Sequence, residues 1–157
     1  MSGYADLEIG LHRREGGGYG VELRLSLPDS DADVRPPQGE APLARLDLEQ
    51  LRTLALDDAA YGARLAEGLL ADPAVRELFG QARAAAHTKR VPLRLRLLIG
   101  ASAPELHSLH WETLRDPVDG LPLLTGEQIL FSRYLSTVAW RPADPWAESA
   151  LSALVAT

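Results

Sequence analysis

The residues best suited to chemistry lie close together between Glu105 and Glu112. His107 and His110 stand three positions apart, a spacing that on a helix brings two imidazoles to one side, where they can share a metal ion. The stretch has no HExxH pattern and no third ligand at a recognisable spacing, so we expect no metal site. The simpler interpretation is a short helical turn that carries four apolar side chains into the core: Leu106, Leu109, Trp111 and Leu114.

Ser108 lies between the two histidines, which suggests a hydrolase as one hypothesis. A serine nucleophile needs a base within hydrogen-bond reach, and the chain has no nucleophile motif such as G-x-S-x-G. The chain also has no cysteine, which excludes a cysteine nucleophile, a thiolate metal site and a disulfide within these residues. We therefore expect no catalytic residue and no cofactor in this chain.

Two loop motifs match ligand-binding sites only in part. The glycines at 16–18 could cradle a phosphate, but a P-loop requires GxxxxGK[ST] before a helix, whereas this run precedes a strand pattern. Asp29, Asp31 and Asp33 have the spacing that opens a calcium loop, but the glycine and the distal glutamate of an EF-hand are missing. We interpret the glycine run as a turn, and we place the three aspartates in a polar, acidic and proline-bearing loop over 28–42.

Arg94 and Arg96 alternate with leucines in LRLRLLI and could bind an anion. A second explanation is pairing with Asp6 and Glu8, which alternate in the same way on the first predicted strand. Opposite charges on neighbouring strands stabilise a sheet by a few tenths of a kcal/mol. We favour this explanation, which predicts that the two strands are neighbours.

The composition is that of one globular domain with a sizeable core. The chain has 157 residues, 46% apolar and 24% charged, with a net charge of −6, which argues against general binding to nucleic acid. The N-terminus has no signal-peptide pattern, and no apolar run approaches the roughly 18 residues of a membrane span, so we expect a cytoplasmic protein.

The charge is distributed unevenly along the chain. Residues 1–78 carry 15 acids and 8 bases, and residues 79–157 carry 7 acids and 8 bases. The first half therefore has either an ordinary solvated acidic surface or an acidic surface that binds a partner.

The elements that position these residues follow from apolar periodicity. Alternation predicts a hairpin over 4–12 and 19–27 and further strands over 91–99 and 129–138, while helical spacing covers about 46–90. Within this helical region, aspartates at three expected helix starts predict N-caps: Asp47, Asp57 and Asp72. The predicted fold is α+β, a mostly antiparallel sheet of about four strands packed against two or three helices. We predict a domain over 1–138 and a proline-broken linker with a short helix over 139–157.

The stretch LRLRLLIG…APELHSLHWETLRDP…PLLTGEQILFSRYL resembles the segment that leads into the caspase-like region of bacterial CHAT-domain proteins. In that family, an APEL–x–L–P–W–E–x–L–x–DP turn lies between two apolar strands, the second of which ends in RYL. The opening YADLEIGLHRREGGGYGVEL also resembles the N-terminal hairpin of such proteins. The likeness spans most of residues 4–135 and is strongest over 93–135. The matching residues are Pro104, Glu105, Leu106, Leu109, Trp111, Glu112, Leu114, Asp116, Pro117, Arg133, Tyr134 and Leu135.

The chain departs from the family in two ways. His110 stands where the family usually has proline. More important, the family's cysteine peptidases use a His-Gly dipeptide and a later cysteine, and this chain has neither. The resemblance therefore implies a non-catalytic N-terminal domain that supports or regulates a caspase-like peptidase core in bacterial defence or signalling.

In that interpretation, the partner is a caspase-like domain of the same polypeptide or another protein, and an oligomer is possible. The alternative is a stand-alone protein-interaction module without enzymatic activity. Trp111 and Glu112 then have structural roles, as do Asp116, Pro117, Arg133 and Tyr134. We expect Trp111 to be buried against helix residues such as Leu65, Leu69 or Leu78, and Glu112 to accept from a backbone N–H or an arginine.

Overall fold

The structure, a computed structural model, describes residues 3–30, 33–36 and 39–135. Within these residues, five strands form one sheet in the order β3-β2-β1-β4-β5, and three α-helices lie between β3 and β4 in the chain. The strands are β1 (Ala5–Arg13), β2 (Tyr19–Ser26), β3 (Leu43–Ala44), β4 (Leu93–Ile99) and β5 (Ile129–Leu135). The helices are α1 (Leu48–Thr53), α2 (Asp58–Leu69) and α3 (Pro73–Lys89).

The predicted α+β class is confirmed, and the sheet is of mixed direction. β1 pairs antiparallel with β2, and β2 with β3. β1 and β4 run parallel, as do β4 and β5. The parallel pairs arise because long connections separate these strands in sequence, whereas the tight turn after Arg13 returns the chain at once. A fifth strand joins the expected four because Leu43–Ala44 pairs with the start of β2.

The sheet has one buried face and one polar face. Alternate residues of β1, β2 and β4 point into the core, and Leu7, Leu25 and Leu97 are at most 2% exposed. We call this buried face the inner face. The helix α3 contacts β1, β2 and β4. The other residues of these strands form the outer face, with Asp6, Glu8 and several arginines half-buried.

Each helix begins at a predicted aspartate. The side chains of Asp47, Asp57 and Asp72 accept hydrogen bonds from backbone N–H groups within the first turns of α1, α2 and α3. These caps satisfy donors that the helix itself leaves free. The helix α3 ends at Arg90, which has a φ of 54° and redirects the chain towards β4.

The predicted boundary at 138/139 and the short helix at 147–156 lie outside the described residues. Among the described helices, none is both long enough and apolar enough to cross a membrane.

Candidate functional site

The connection between β4 and β5 contains most of the residues that carry the family resemblance. It forms two 3₁₀ helices, Pro104–Ser108 and Trp111–Thr113. The side chain of Trp111 is fully buried, as expected, and its Nε1 donates to the carbonyl oxygen of Leu106 at 2.7 Å. The second 3₁₀ helix packs against α2, the helix that contains Leu65 and Leu69. Trp111 therefore anchors the connection in the core.

Gly62 makes this packing possible. A Cβ atom at Gly62 would lie 1.7 Å from the carbonyl oxygen of Thr113. Since real Cβ atoms do not approach an oxygen so closely, only glycine allows α2 to contact the second 3₁₀ helix at this distance. No local sequence pattern reveals such a requirement, because Gly62 stands in an ordinary helical sequence.

Asp116 organises the turn that follows. Its carboxylate is 7% exposed and lies 2.5 Å from Nη1 of Arg83 in α3. The same carboxylate accepts from the N–H of Val118, and the main chain of Asp116 bonds to Gly120 and Leu121. A buried carboxylate needs such partners, because an unpaired charge away from water is very costly. Asp116 thus ties the turn to α3 through Arg83.

The other signature residues are more exposed. Glu112 is exposed and forms no hydrogen bond or ion pair with any described residue, so the expected acceptor role is not seen. Pro117 is an exposed residue of the turn. Arg133 in β5 donates to the carbonyl oxygen of His107 at 3.1 Å, which ties the connection to the strand. The guanidinium of Arg96 lies 4.8 Å from the ring centre of Tyr134.

The two histidines and Ser108 do not form a nucleophile-base pair. The Ser108 hydroxyl donates to the carbonyl oxygen of Glu105 at 2.8 Å, and the ring of His110 stacks on Tyr61 at 4.8 Å. In the part of the chain that the structure describes, neither imidazole is hydrogen-bonded to Ser108. No group of three or more histidine, aspartate or glutamate side chains in that part could hold a metal ion.

A polar cluster that the sequence did not reveal joins the hairpin to the first 3₁₀ helix. Tyr19 donates to Oε1 of Glu105 at 2.6 Å, and Arg13 donates to the same oxygen at 2.5 Å. Tyr19 is only 6% exposed. Burial, together with the hydrogen bond to Glu105 and the charge of that carboxylate, raises the pKa of Tyr19 to about 12.

Tyr19 is therefore expected to make stability depend on pH in the alkaline range. Because its pKa in the folded chain lies above the ordinary value of 10.0, its contribution is full below pH 10 and is lost as the pH rises to about 12. The loss is on the order of 1–3 kcal/mol. Urea unfolding of wild type and Tyr19→Phe across this range tests it. Phenylalanine does not ionise, so Tyr19→Phe should lose less stability. Equal losses in the two proteins would contradict the assignment.

The outer face carries the charge pairs that the sequence predicted between β1 and β4. Arg94 is bound by both carboxylate oxygens of Asp6, and Nη2 of Arg94 lies 2.9 Å from Oδ2. Nη1 of Arg96 lies 3.6 Å from Oε2 of Glu8. Asp6 is level with Arg94, and Glu8 with Arg96, in the parallel register. The predicted neighbourhood of these strands is confirmed, and the arginines serve the fold.

A groove with a volume of about 560 Å³ lies on the outer face beside the segment that joins β2 to β3. Its floor contains Gly10 of β1 and Leu98 of β4, and its walls include Glu22, Arg24 and Glu40. The sequence predicted an acidic loop here but gave no indication of a groove.

No protein-family model, no curated protein and no solved structure matches the chain. The likeness to CHAT-domain proteins consequently rests on the residues quoted from the sequence. The geometry adds one fact to it. The most buried of those residues, Trp111, Leu106 and Leu114, belong to the core, and the buried Asp116 organises the turn. The arrangement can hold β5 beside β4, which is a structural task.

Proposed function

We propose that the chain is a non-catalytic N-terminal domain of a CHAT-type protein, and that it supports or regulates a caspase-like peptidase core in bacterial defence or signalling. The core is either a later part of the same polypeptide or a separate protein. We propose that the domain performs this supporting or regulating role in the cytoplasm. The proposal begins with the resemblance over 93–135, and the role of those residues in the fold supports it.

The observation that carries the proposal is the way the connection holds β5. Trp111 is buried in the 3₁₀ helix that packs against α2, and Arg133 of β5 donates to the carbonyl oxygen of His107 in the first 3₁₀ helix. Within the described residues, β5 has one ladder partner, β4, and runs parallel to it. A following caspase-like region would therefore start from a strand whose register is already set.

The coding sequence provides the first test. Continuation of the reading frame beyond Thr157 into a strand, a His-Gly dipeptide and a later cysteine supports the proposal. If a core is encoded, we expect it to cleave peptides only when this domain is present, on the same chain or added in trans. A core that is equally soluble and active without the domain would contradict the supporting role. A frame that stops after Thr157, with no core that the chain activates, would favour the stand-alone interaction module.

The isolated chain is expected to cleave no peptide and to bind no thiol-directed inhibitor. The chain has no cysteine with which a thiol-directed inhibitor could react. Cleavage is not expected because Ser108 contacts the Glu105 carbonyl and His110 contacts the Tyr61 ring, rather than each other. The measurement is incubation of the purified chain with a diverse peptide library. A His107→Ala/His110→Ala double variant is the matched control. Cleavage by wild type that disappears in the double variant would overturn the non-catalytic assignment.

A further inference from the structure

We propose that the groove on the outer face binds a short, extended peptide segment of a protein partner, and that the segment carries a lysine or arginine. This goes beyond the proposed function, because such binding requires no peptidase core. Three features of the groove lead to it: an unpaired strand edge, a glycine floor and two free carboxylates.

The first feature is the main chain of β2 at Leu23. On the side away from β1, the N–H of Val21 donates to Pro42 at 2.8 Å, and Leu25 exchanges two hydrogen bonds with Val34 at 2.8 and 2.9 Å. Leu23 lies between them, and its N–H and C=O point to the same side, since alternate residues of an antiparallel strand bond to the same neighbour. On that side, no described residue bonds to its main chain.

Leu23 lines the groove through its backbone. Its side chain is 6% exposed and belongs to the inner face, yet the residue borders the groove on the outer side. A free N–H and C=O on a strand edge are the groups with which an extended peptide pairs. An extended main chain is therefore the ligand geometry that this edge fits.

The second feature is Gly10 in the floor. The residue occupies an outward position of β1, where the neighbouring outward residues are Glu8 and His12. Its φ is not positive, so the backbone does not require glycine here. Glycine within a strand weakens the sheet and often marks a place where another backbone approaches closely. Gly10 borders the groove beside Leu98, and a Cβ atom at Gly10 would lie 3.4 Å from Cβ of Glu22, whose side chain borders the same groove.

The third feature is charge. The charged residues of the groove are Glu8, Glu22, Glu40, Arg24 and Arg35, which gives a net negative charge. Arg24 is already engaged, with Glu8 at 3.3 Å and Asp33 at 3.8 Å. The carboxylates of Glu22 and Glu40 form no hydrogen bond or ion pair with a described residue. A cationic side chain on the peptide complements them.

The test uses the full chain, immobilised, and a library of random short linear peptides. We expect enrichment of peptides that contain lysine or arginine. Their affinity should fall by at least about tenfold in Gly10→Val, because the added isopropyl group would cover the floor and press against the side chain of Glu22. A Glu22→Gln/Glu40→Gln double variant should bind about fivefold more weakly. Glu127→Gln changes an exposed carboxylate that forms no hydrogen bond or ion pair with a described residue, and this variant should bind like wild type.

Hydrogen exchange identifies the contact directly. The amide of Leu23 should exchange quickly in the free chain and slowly with an enriched peptide bound. If Gly10→Val fails to fold, the weaker binding expected of the Glu22→Gln/Glu40→Gln variant still tests the proposal. The proposal is overturned if no peptide is enriched, if enriched peptides lack basic residues, or if they bind Gly10→Val as tightly as wild type. A concentration-dependent dimer that Gly10→Val abolishes would also overturn it, because a second copy would then be the occupant.

Discussion

Trp111→Ala is expected to lower the free energy of unfolding by about 3–5 kcal/mol. The side chain is fully buried, and its Nε1 donates to the carbonyl oxygen of Leu106. The 3₁₀ helix that contains Trp111 packs against α2. Truncation to alanine removes the buried surface, leaves a cavity and leaves that carbonyl without its donor. A domain of this size is stabilised by roughly 5–15 kcal/mol, so the loss is a large share of the total. We expect insoluble or molten protein.

Urea unfolding followed by far-ultraviolet circular dichroism measures this loss. Trp111→Phe is the matched control, because it keeps an aromatic ring in the core and removes the Nε1 donor. Its loss should be clearly smaller than that of Trp111→Ala, since most of the packing remains. A Trp111→Ala protein that unfolds at the wild-type midpoint would show that the residue does not anchor the core.

Much of the fold could be predicted because its determinants are local. The caps at Asp47, Asp57 and Asp72 depend on side chains within three residues of the N–H groups they bind. Alternation identified β1, β2 and β4 because each has one buried face. The neighbouring positions of β1 and β4 could be predicted as well, because Asp6 and Arg94 carry complementary charges at matching positions.

The missed features depend on contacts between distant residues. β3 is only Leu43–Ala44, too short to show any period. The partner of Asp116 is Arg83, which lies in another element and has no spacing that relates it to the turn. The direction of β5 depends on how the preceding connection packs, and alternation along a strand contains no information on direction.

The groove was missed for a related reason. It exists because the chain pairs with β2 at Val34 and at Pro42 but not between them, and a composition-based loop assignment cannot reveal where pairing stops. Gly10 was the available signal, since a glycine interrupts the outward polar positions of β1. The Tyr19–Glu105 hydrogen bond gave no signal, because its residues lie in the hairpin and in the connection after β4.

Gly62→Ala is expected to destabilise the protein by about 3 kcal/mol, the upper end of the usual cost of overpacking, against the ordinary trend for helices. Replacing glycine with alanine inside a helix usually stabilises by about 0.5–1 kcal/mol, because alanine loses less backbone entropy on folding. At Gly62, the added methyl group would meet the Thr113 carbonyl oxygen at 1.7 Å and its carbon at 2.7 Å. These are backbone atoms, which cannot rotate away, so α2 and the second 3₁₀ helix must separate. The steric cost exceeds the entropic gain.

Gly80→Ala separates the two effects within the same protein. Gly80 is an exposed residue of α3, and a Cβ atom there has no heavy atom within 4 Å. This variant gains helix propensity without a clash, so it should unfold at a higher urea concentration than wild type. Gly62→Ala should unfold at a lower one, and its limited proteolysis should begin in the connection that contains Trp111. If both alanine variants were stabilised, α2 and the second 3₁₀ helix would not be in contact, and the connection would not be anchored as described.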